Sequence, residues 1–379
     1  MNRYKAPHRR KIYQYMVVLA SFAIALGTLA SHQSFSLFIS YPSSFIHAMI
    51  LASCTAFPLC CFLWLLDRNE PEPPTNLIFA FLWGAFVATS LSLFFNDLFK
   101  ESAHLFLSAE LVEDLAISLS APFIEELTKG IAIGLLFVLA RHHFDNALDG
   151  IVYGATIGVG FAWFENILYY MASVGNQPML FDTFIVRGLL GAGNHAVYTA
   201  LIGIGFGLVR QKTARTVPIL VIILFWLAGI FTHILWNTYL KSIAFFFFGS
   251  EYSLAGIFVA TIILQIPFVI FLLSIVVRMW RFEENIIRKY LEDEEDDIIN
   301  SEELLLLTPT WKRSKRNLSL FFHMPTRTWI HHYRIRRACI DLAFVKWHRT
   351  KDPYVDWPVP YNKILVHLRT SIRELRTSL

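Results

Sequence analysis

The sequence is short of charge. Of its 379 residues only 16% are Asp, Glu, Lys or Arg, against about 25% in an ordinary soluble domain, so a water-soluble globular fold is a poor reading. Its four cysteines, Cys54, Cys60, Cys61 and Cys339, have no paired spacing and no CxxC, which argues against a disulfide framework or a thiolate metal site. The net charge of +4 comes mostly from the two ends and implies no nucleic-acid partner. There is no GxGxxG, HExxH or GxSxG. Glycines 150, 154, 158 and 160, 188, 191 and 193, and 203, 205 and 207 lie inside apolar segments with no preceding strand. They read as small-xxx-small packing faces and not as phosphate loops.

What remains is apolar. Hydrophobic residues make up 55% of the chain, gathered in blocks of roughly 20, each long enough to cross a hydrocarbon core as a helix. The expected fold is all-α: a polytopic transmembrane bundle of about eight spanning helices, near 13–38, 45–66, 75–98, 119–140, 148–171, 184–209, 216–240 and 253–279, followed by a cytoplasmic C-terminal tail. The first block could pass for a cleavable signal peptide, but its apolar character resumes from Phe35 to Ile39, which favours an uncleaved helix. Alternate connections carry the positive charge: Arg3, Lys5, Arg9, Arg10 and Lys11, then Arg68, then Arg141, then Arg210, Lys212 and Arg215. The positive-inside rule then puts both termini in the cytoplasm. The domain reading is a membrane bundle over 1–280 and a tail over 281–379. In that tail the acidic run Glu292–Asp297 reads as a solvated spacer. The basic and aromatic stretch from Trp311 to Lys351 reads either as a surface that lies against anionic lipid headgroups or as a small soluble appendage.

The residues that carry chemistry lie where charge is costly. Glu125, Glu126, Lys129, Glu165, Arg187, His195 and His233 all fall within spanning segments. Five full charges at mid-bilayer cost about 12–17 kcal/mol if unpaired, comparable with a whole domain's stability of about 5–15 kcal/mol. At 1.5 Å per residue, Glu125, Glu126, Glu165 and His233 lie about 10 Å below the outer boundary and His195 about 16 Å below it, so four helices of alternating direction deliver them to one layer. Within helices, Glu125 and Lys129 are i,i+4, as are Phe161 and Glu165, and His233 and Asn237; Glu126 is rotated by about 100° and can face a partner helix. Tyr198 and Thr199 share the face of His195, and either could fix its tautomer.

Two carboxylates and two imidazoles in a water-poor pocket admit two chemistries. They can hold a divalent metal such as Zn2+ while a remaining glutamate deprotonates water. Alternatively, a glutamate alone activates water while a histidine and Asn237 stabilise the oxyanion. Both end in hydrolysis. Three other readings compete: buried pairs, Glu125 with Lys129 and Glu165 with Arg187, that merely fix helix register; a proton-coupled transporter or channel; and a non-catalytic scaffold for membrane partners. Polar groups gathered in one layer, without an internal repeat, argue against the transporter.

The motifs resemble the PrsW family of intramembrane proteases, related to the CAAX prenyl endopeptidase and bacteriocin-processing superfamily. EExxK is similar to Glu125-Glu126-Leu127-Thr128-Lys129, and aromatic-xxx-Glu-Asn to Phe161 through Glu165 and Asn166. Arg187 and His195 precede a glycine-rich run to Gly207, HxxxN is similar to His233 through Asn237, and a cytoplasmic DxxEPEP stretch is similar to Asp67–Pro73. The likeness covers roughly 45–240. It implies an intramembrane endopeptidase that cuts a membrane-protein substrate near the outer face, in the family's namesake an anti-sigma factor, with Glu125, Glu126, Lys129, Glu165, Asn166, His195, His233 and Asn237 as the candidate catalytic residues. It further implies Glu165, His195 and His233 as ligands of a metal, taken to be zinc, or as residues that orient the water in a metal-free reaction. The expected partners are that substrate and the lipid bilayer, and the expected location is a bacterial inner membrane.

Overall fold

The computed structural model describes residues 40–141, 143–173, 176–211, 219–251, 253–351 and 360–378. These residues are helical, with no strand among them. The expected span at 13–38, with Lys212 and Arg215, lies outside the described residues.

Two compact units are formed. The first runs from the described N-terminal residues to Asp67 and from Glu72 to Ile275. It contains α1 (Pro42–Leu66), α2 (Pro74–Ala103), α3 (109–139), α4 (Ala147–Ala172), α5 (Gln177–Thr183), α6 (Asn194–Gln211), α7 (Ile219–Phe248), α8 (Leu254–Leu264) and the start of α9 (Ile266–Leu291). Helix starts follow local chemistry. Prolines open α1 and α2, where a missing N–H costs nothing. A capping box opens α4: Asn146 Oδ1 accepts from the Leu148 amide at 2.7 Å while Asp149 Oδ2 accepts from the Asn146 amide at 2.9 Å, satisfying donors a helix start leaves orphaned.

Length and apolarity qualify five helical stretches as membrane spans: Pro42–Leu66, Pro74–Ala103, Ala147–Ala172, Pro178–Gln211 and Ile219–Phe248. A sixth arises if α8 and α9, bent by 41°, are one span. The segment expected at 119–140 is helical, but its three charges, Glu125, Glu126 and Lys129, keep it out of that set.

Helix α4 is central, with 94% of its apolar window buried. Its glycines form the contact with α6. A Cβ on Gly150 would stand 2.0 Å from the Gly203 carbonyl oxygen, one on Gly154 2.4 Å from that of Thr199, and one on Gly158 2.2 Å from that of His195. The two backbones therefore touch along a GxxxGxxxG ridge, the close approach that small residues permit. This register sets His195 and Thr199 against the middle of α4.

Three π-helical turns interrupt this unit: Trp83–Ala88 within α2, Ala116–Ser120 within α3, and Phe184–Leu190 between α5 and α6. Such turns free backbone carbonyls and re-aim side chains, and they recur at functional sites.

The second unit comprises 68–71 and the described residues from Val276. It holds the end of α9 with α10 (Ser301–Leu307), α11 (Thr310–His323), α12 (Thr326–Lys351) and α13 (Tyr361–Thr377). Its own core, including Ile287, Leu291, Ile298, Leu342, Phe344, Ile364 and Ile372, makes it a folded helical unit. The acidic run is largely exposed, with Glu294 its one half-buried member. Glu294 takes both guanidinium nitrogens of Arg369 at 2.8 Å and the Lys346 ammonium, while Arg373 pairs with Glu295 and Asp297. Burial alone would raise the Glu294 carboxyl, but these cations hold it below the usual glutamate range. The run clamps α13 onto the unit because Ile298 and Ile299, which follow it, are core residues.

Candidate active site

The site begins with the side of α3 that follows the π turn. Glu125, Glu126 and Lys129 are all buried, Glu126 and Lys129 completely. The Lys129 ammonium donates to Glu126 Oε1 at 2.8 Å and Glu125 Oε2 at 3.2 Å and lies 3.6 Å over the Phe161 ring, a cation–π contact that suits a dry site. It is also 2.9 Å from His195 Nδ1. An ammonium has no lone pair, so Nδ1 is the acceptor and His195 carries its proton on Nε2. That nitrogen faces Glu165 Oε2 at 3.0 Å.

Glu126 and Glu125 differ in their environments. Glu126 Oε1 receives Lys129 and, at 3.2 Å, His233 Nδ1; Oε2 receives the Thr199 hydroxyl at 2.9 Å. Its backbone carbonyl accepts from the Trp226 indole at 3.0 Å. A carboxylate acceptor makes Nδ1 the protonated nitrogen of His233 and leaves Nε2 with its lone pair. Glu125, by contrast, lines a cavity of about 270 Å³, together with Glu165, His195, His233 and Asn237.

Glu165 is held from the other side. The Arg187 guanidinium, presented by the π turn before α6, donates Nη2 to Glu165 and Nε to Asn166 Oδ1 at 3.1 Å, and it stacks 3.6 Å from the Tyr169 ring centroid. Three carboxylates thus meet two permanent cations, and the uncompensated negative charge is a place for a further cation or a proton. One atom each from Glu125, Glu126, His195 and His233 lies within 4.8 Å of all the others. Carboxylates and neutral imidazoles are suitable zinc donors, so this set fits a divalent ion that takes over the His195 Nδ1 lone pair from the Lys129 ammonium.

The model of the PrsW family intramembrane metalloproteases matches residues 72–273, over half of the chain and including every helix of the site. The chain belongs to the PrsW family. It is 32% identical over 149 residues to Protease PrsW of Geobacillus kaustophilus, covering 39% of this chain and 60% of that protein. Over 155 residues it is 30% identical to Protease PrsW of Bacillus subtilis, covering 40% and 64%, and over 184 residues 26% identical to that of Oceanobacillus iheyensis, covering 48% and 79%. The chain thus spans about three-fifths of the length of the first two relatives. No solved structure matches.

All eight residues picked out by the PrsW motifs fall in or beside one network. Their partners differ from the sequence reading in three respects. Neither Tyr198 nor Thr199 fixes the His195 tautomer, because neighbouring helices supply nearer groups, Lys129 and Glu165. Thr199 instead serves Glu126, and Tyr198 stacks on His233 at 4.5 Å between centroids. Asn237 lines the cavity but gives one N–H to the Ile117 carbonyl at 2.9 Å, in the π turn of α3. Glu165 stands outside the convergent donor set, its Oε2 engaged by Arg187 and His195.

One contributor was not anticipated. Gln265, at the break between α8 and α9, is 3% exposed and donates to the Tyr198 hydroxyl at 2.9 Å, backing the ring on which His233 rests. A lone amide within an apolar run, two residues before Pro267, is the signal that could have found it.

Lys129 is the hub, which yields a stability prediction. Lys129→Met leaves two adjacent buried carboxylates without their shared cation, and the expected loss is about 3–5 kcal/mol, the cost of breaking a buried pair from one side. A lower thermal unfolding midpoint in detergent measures it; an unchanged midpoint would show that the ammonium is dispensable.

Proposed function

We propose that the protein is an intramembrane endopeptidase in which Glu125 activates the attacking water. The observation that supports this most directly is the unequal treatment of the adjacent glutamates. Glu126 is saturated by three donors on its carboxylate, whereas Glu125 opens onto the cavity with Lys129 as its hydrogen-bonding donor. A saturated carboxylate organises; an open one can take a proton from water and return it to the leaving amine.

The remaining residues have complementary roles. Glu126 orients His233 so that Nε2 keeps its lone pair. Arg187, itself positioned by Asn166, holds Glu165, which with Lys129 sets the His195 ring. Asn237 has a second N–H to offer the scissile carbonyl as negative charge develops on its oxygen. Trp236 and Leu240 on the cavity wall suit an apolar substrate segment. We place the metal, where one is used, with Glu126, His195 and His233, in preference to a set containing Glu165; Glu125 then stays free to take the proton, and the ion would take over the His195 Nδ1 lone pair from Lys129. A zinc ion so held would supply Lewis-acid polarisation of the substrate carbonyl.

The positive-inside reading places this layer in the outer third of the bilayer, with both termini cytoplasmic. The substrate class is then a membrane protein cut near the outer face of a bacterial inner membrane, an anti-sigma-factor-like protein in regulated proteolysis being the specific case. Cleavage of a single-span reporter in proteoliposomes is the direct test; its absence with every apolar reporter tried would end the reading. Metal content tests the ligand set. The wild-type protein and Glu165→Ala are expected to retain the ion, and His233→Ala to lose it, by elemental analysis; the reverse pattern would restore Glu165 as a ligand.

A further inference from the structure

Helix α11 wears its apolar side outward. Trp311, Leu318 and Phe322 recur at i, i+7 and i+11, with Lys315 among them, spacing that puts them on one helical face. That face is the open one: Trp311 is 57% exposed, Leu318 61% and Phe322 72%. The opposite side is anchored, since Arg313 is buried and donates to the Leu307 carbonyl at 2.9 Å and to Asn69 Oδ1. Asn69 in turn donates to Glu283 Oε2 at 2.7 Å and Thr310 Oγ1 at 3.2 Å. Asn69 belongs to the four residues 68–71 of this unit, which the chain carries between two candidate spans, α1 and α2. The chain thus joins this unit to both of those candidate spans through 68–71. Lys315 lies within the stripe and Lys312 beside it, both exposed.

The same unit has a cavity of about 200 Å³ that another face of α11 helps to line. Arg316 of α11 and His332 and Arg336 of α12 line it, with Leu306, Ile335 and Cys339 as apolar walls. Nε and Nη2 of Arg336 are buried and have no hydrogen-bond partner. Glu303, the acid at this cavity, is taken up by both terminal nitrogens of Arg376. Burial and the neighbouring Arg336, His331 and Arg316 hold His332 below the ordinary histidine range, which fits a site with surplus positive charge. Buried guanidinium donors without acceptors are costly and call for an anion; the apolar walls and stripe call for an acyl chain on it.

We propose that this unit docks on the bilayer surface and that the Arg316, His332 and Arg336 cavity binds the phosphate of an anionic phospholipid. The stripe lies at the level where Trp and Phe partition, and the flanking lysines meet the negative leaflet. A free phosphate would satisfy the arginines but leave the stripe in water. This inference is independent of the peptidase reading.

The test uses the full chain, one copy per lipid nanodisc, with Cys54, Cys60 and Cys61 replaced by Ala, the buried Cys339 retained, and an environment-sensitive fluorophore on Phe322→Cys. With phosphatidylcholine plus phosphatidylglycerol the emission is expected to shift to the blue and to be quenched by brominated lipid; with phosphatidylcholine alone both effects weaken. Arg336→Gln and, at an exposed position that does not threaten folding, Arg316→Gln are each expected to lower the docking equilibrium about fivefold. Water-like emission in both bilayers overturns the proposal. So does a blue shift indifferent to lipid charge and to brominated lipid, which would assign the stripe to a protein partner. Two further results would also overturn it: a shift produced by inorganic phosphate alone, which would assign the cavity to a free ion, and wild-type docking in both arginine variants.

Discussion

Glu125→Gln is expected to lower cleavage of a single-span reporter by about 10²–10⁴-fold, the range for removing a positioned general base, and to leave the unfolding midpoint close to wild type. The amide keeps the shape of the side chain, and its oxygen can still accept from Lys129, which retains Glu126 at 2.8 Å. What disappears is the basic oxygen that opens on the cavity. Glu126→Gln gives the contrast. Three donors, from Lys129, His233 and Thr199, converge on that carboxylate. An amide oxygen at the Oε1 position still accepts from Lys129 and His233, but without charge. An NH2 group replaces the oxygen that takes the Thr199 hydroxyl, so the hold on His233 weakens and Lys129 loses half of its compensation. Activity should fall together with stability, the latter by about 1.5–3 kcal/mol for weakened hydrogen bonds to charged groups. Paired assays of cleavage and thermal unfolding separate the roles. Glu125→Gln active to within tenfold, beside a fully stable but inactive Glu126→Gln, would exchange them.

Much of this site was legible in the chain because charge inside apolar helices is rare and costly. Glu125, Glu126, Lys129, Glu165, Arg187, His195 and His233 announce themselves by position, and counting residues from helix ends puts Glu125, Glu126, Glu165, His195 and His233 in one layer, which the structure brings together. Pairing was less legible. Residues on one helix face are known from 100° steps, but which neighbouring helix presents its atom first depends on packing. Hence the expectation that Tyr198 or Thr199 would hold His195 gives way to Lys129 and Glu165. The π turns were not legible at all, since Ala116–Ser120 has the composition of any spanning segment; yet that turn supplies the carbonyl that takes Asn237. In the C-terminal unit the acidic run reads as a solvated spacer when considered alone; most of it is exposed, and only tertiary structure sets the half-buried Glu294 against Lys346 of α12 and Arg369 of α13.

The helix spacing behind this network can be tested without touching any polar residue. Gly158→Ala is expected to lower cleavage by about 10²-fold. The added Cβ would stand 2.2 Å from the His195 carbonyl oxygen and 2.5 Å from its carbon, so α4 and α6 must part by roughly 1 Å to regain ordinary contact. That movement acts on His195 itself, whose Nδ1 and Nε2 are 2.9 and 3.0 Å from Lys129 and Glu165, and a displacement of about 1 Å in catalytic geometry costs on the order of 100-fold. Overpacking should also reduce stability by about 1–3 kcal/mol. Gly134→Ala is the matched control within α3: its nearest neighbour would be Phe206 Cζ at 3.8 Å, an ordinary contact, so its cleavage and midpoint should match wild type. Equal activity in the two alanine variants would mean that the glycine ridge does not set the position of His195, and that the imidazole is held by its ion-pair partners alone.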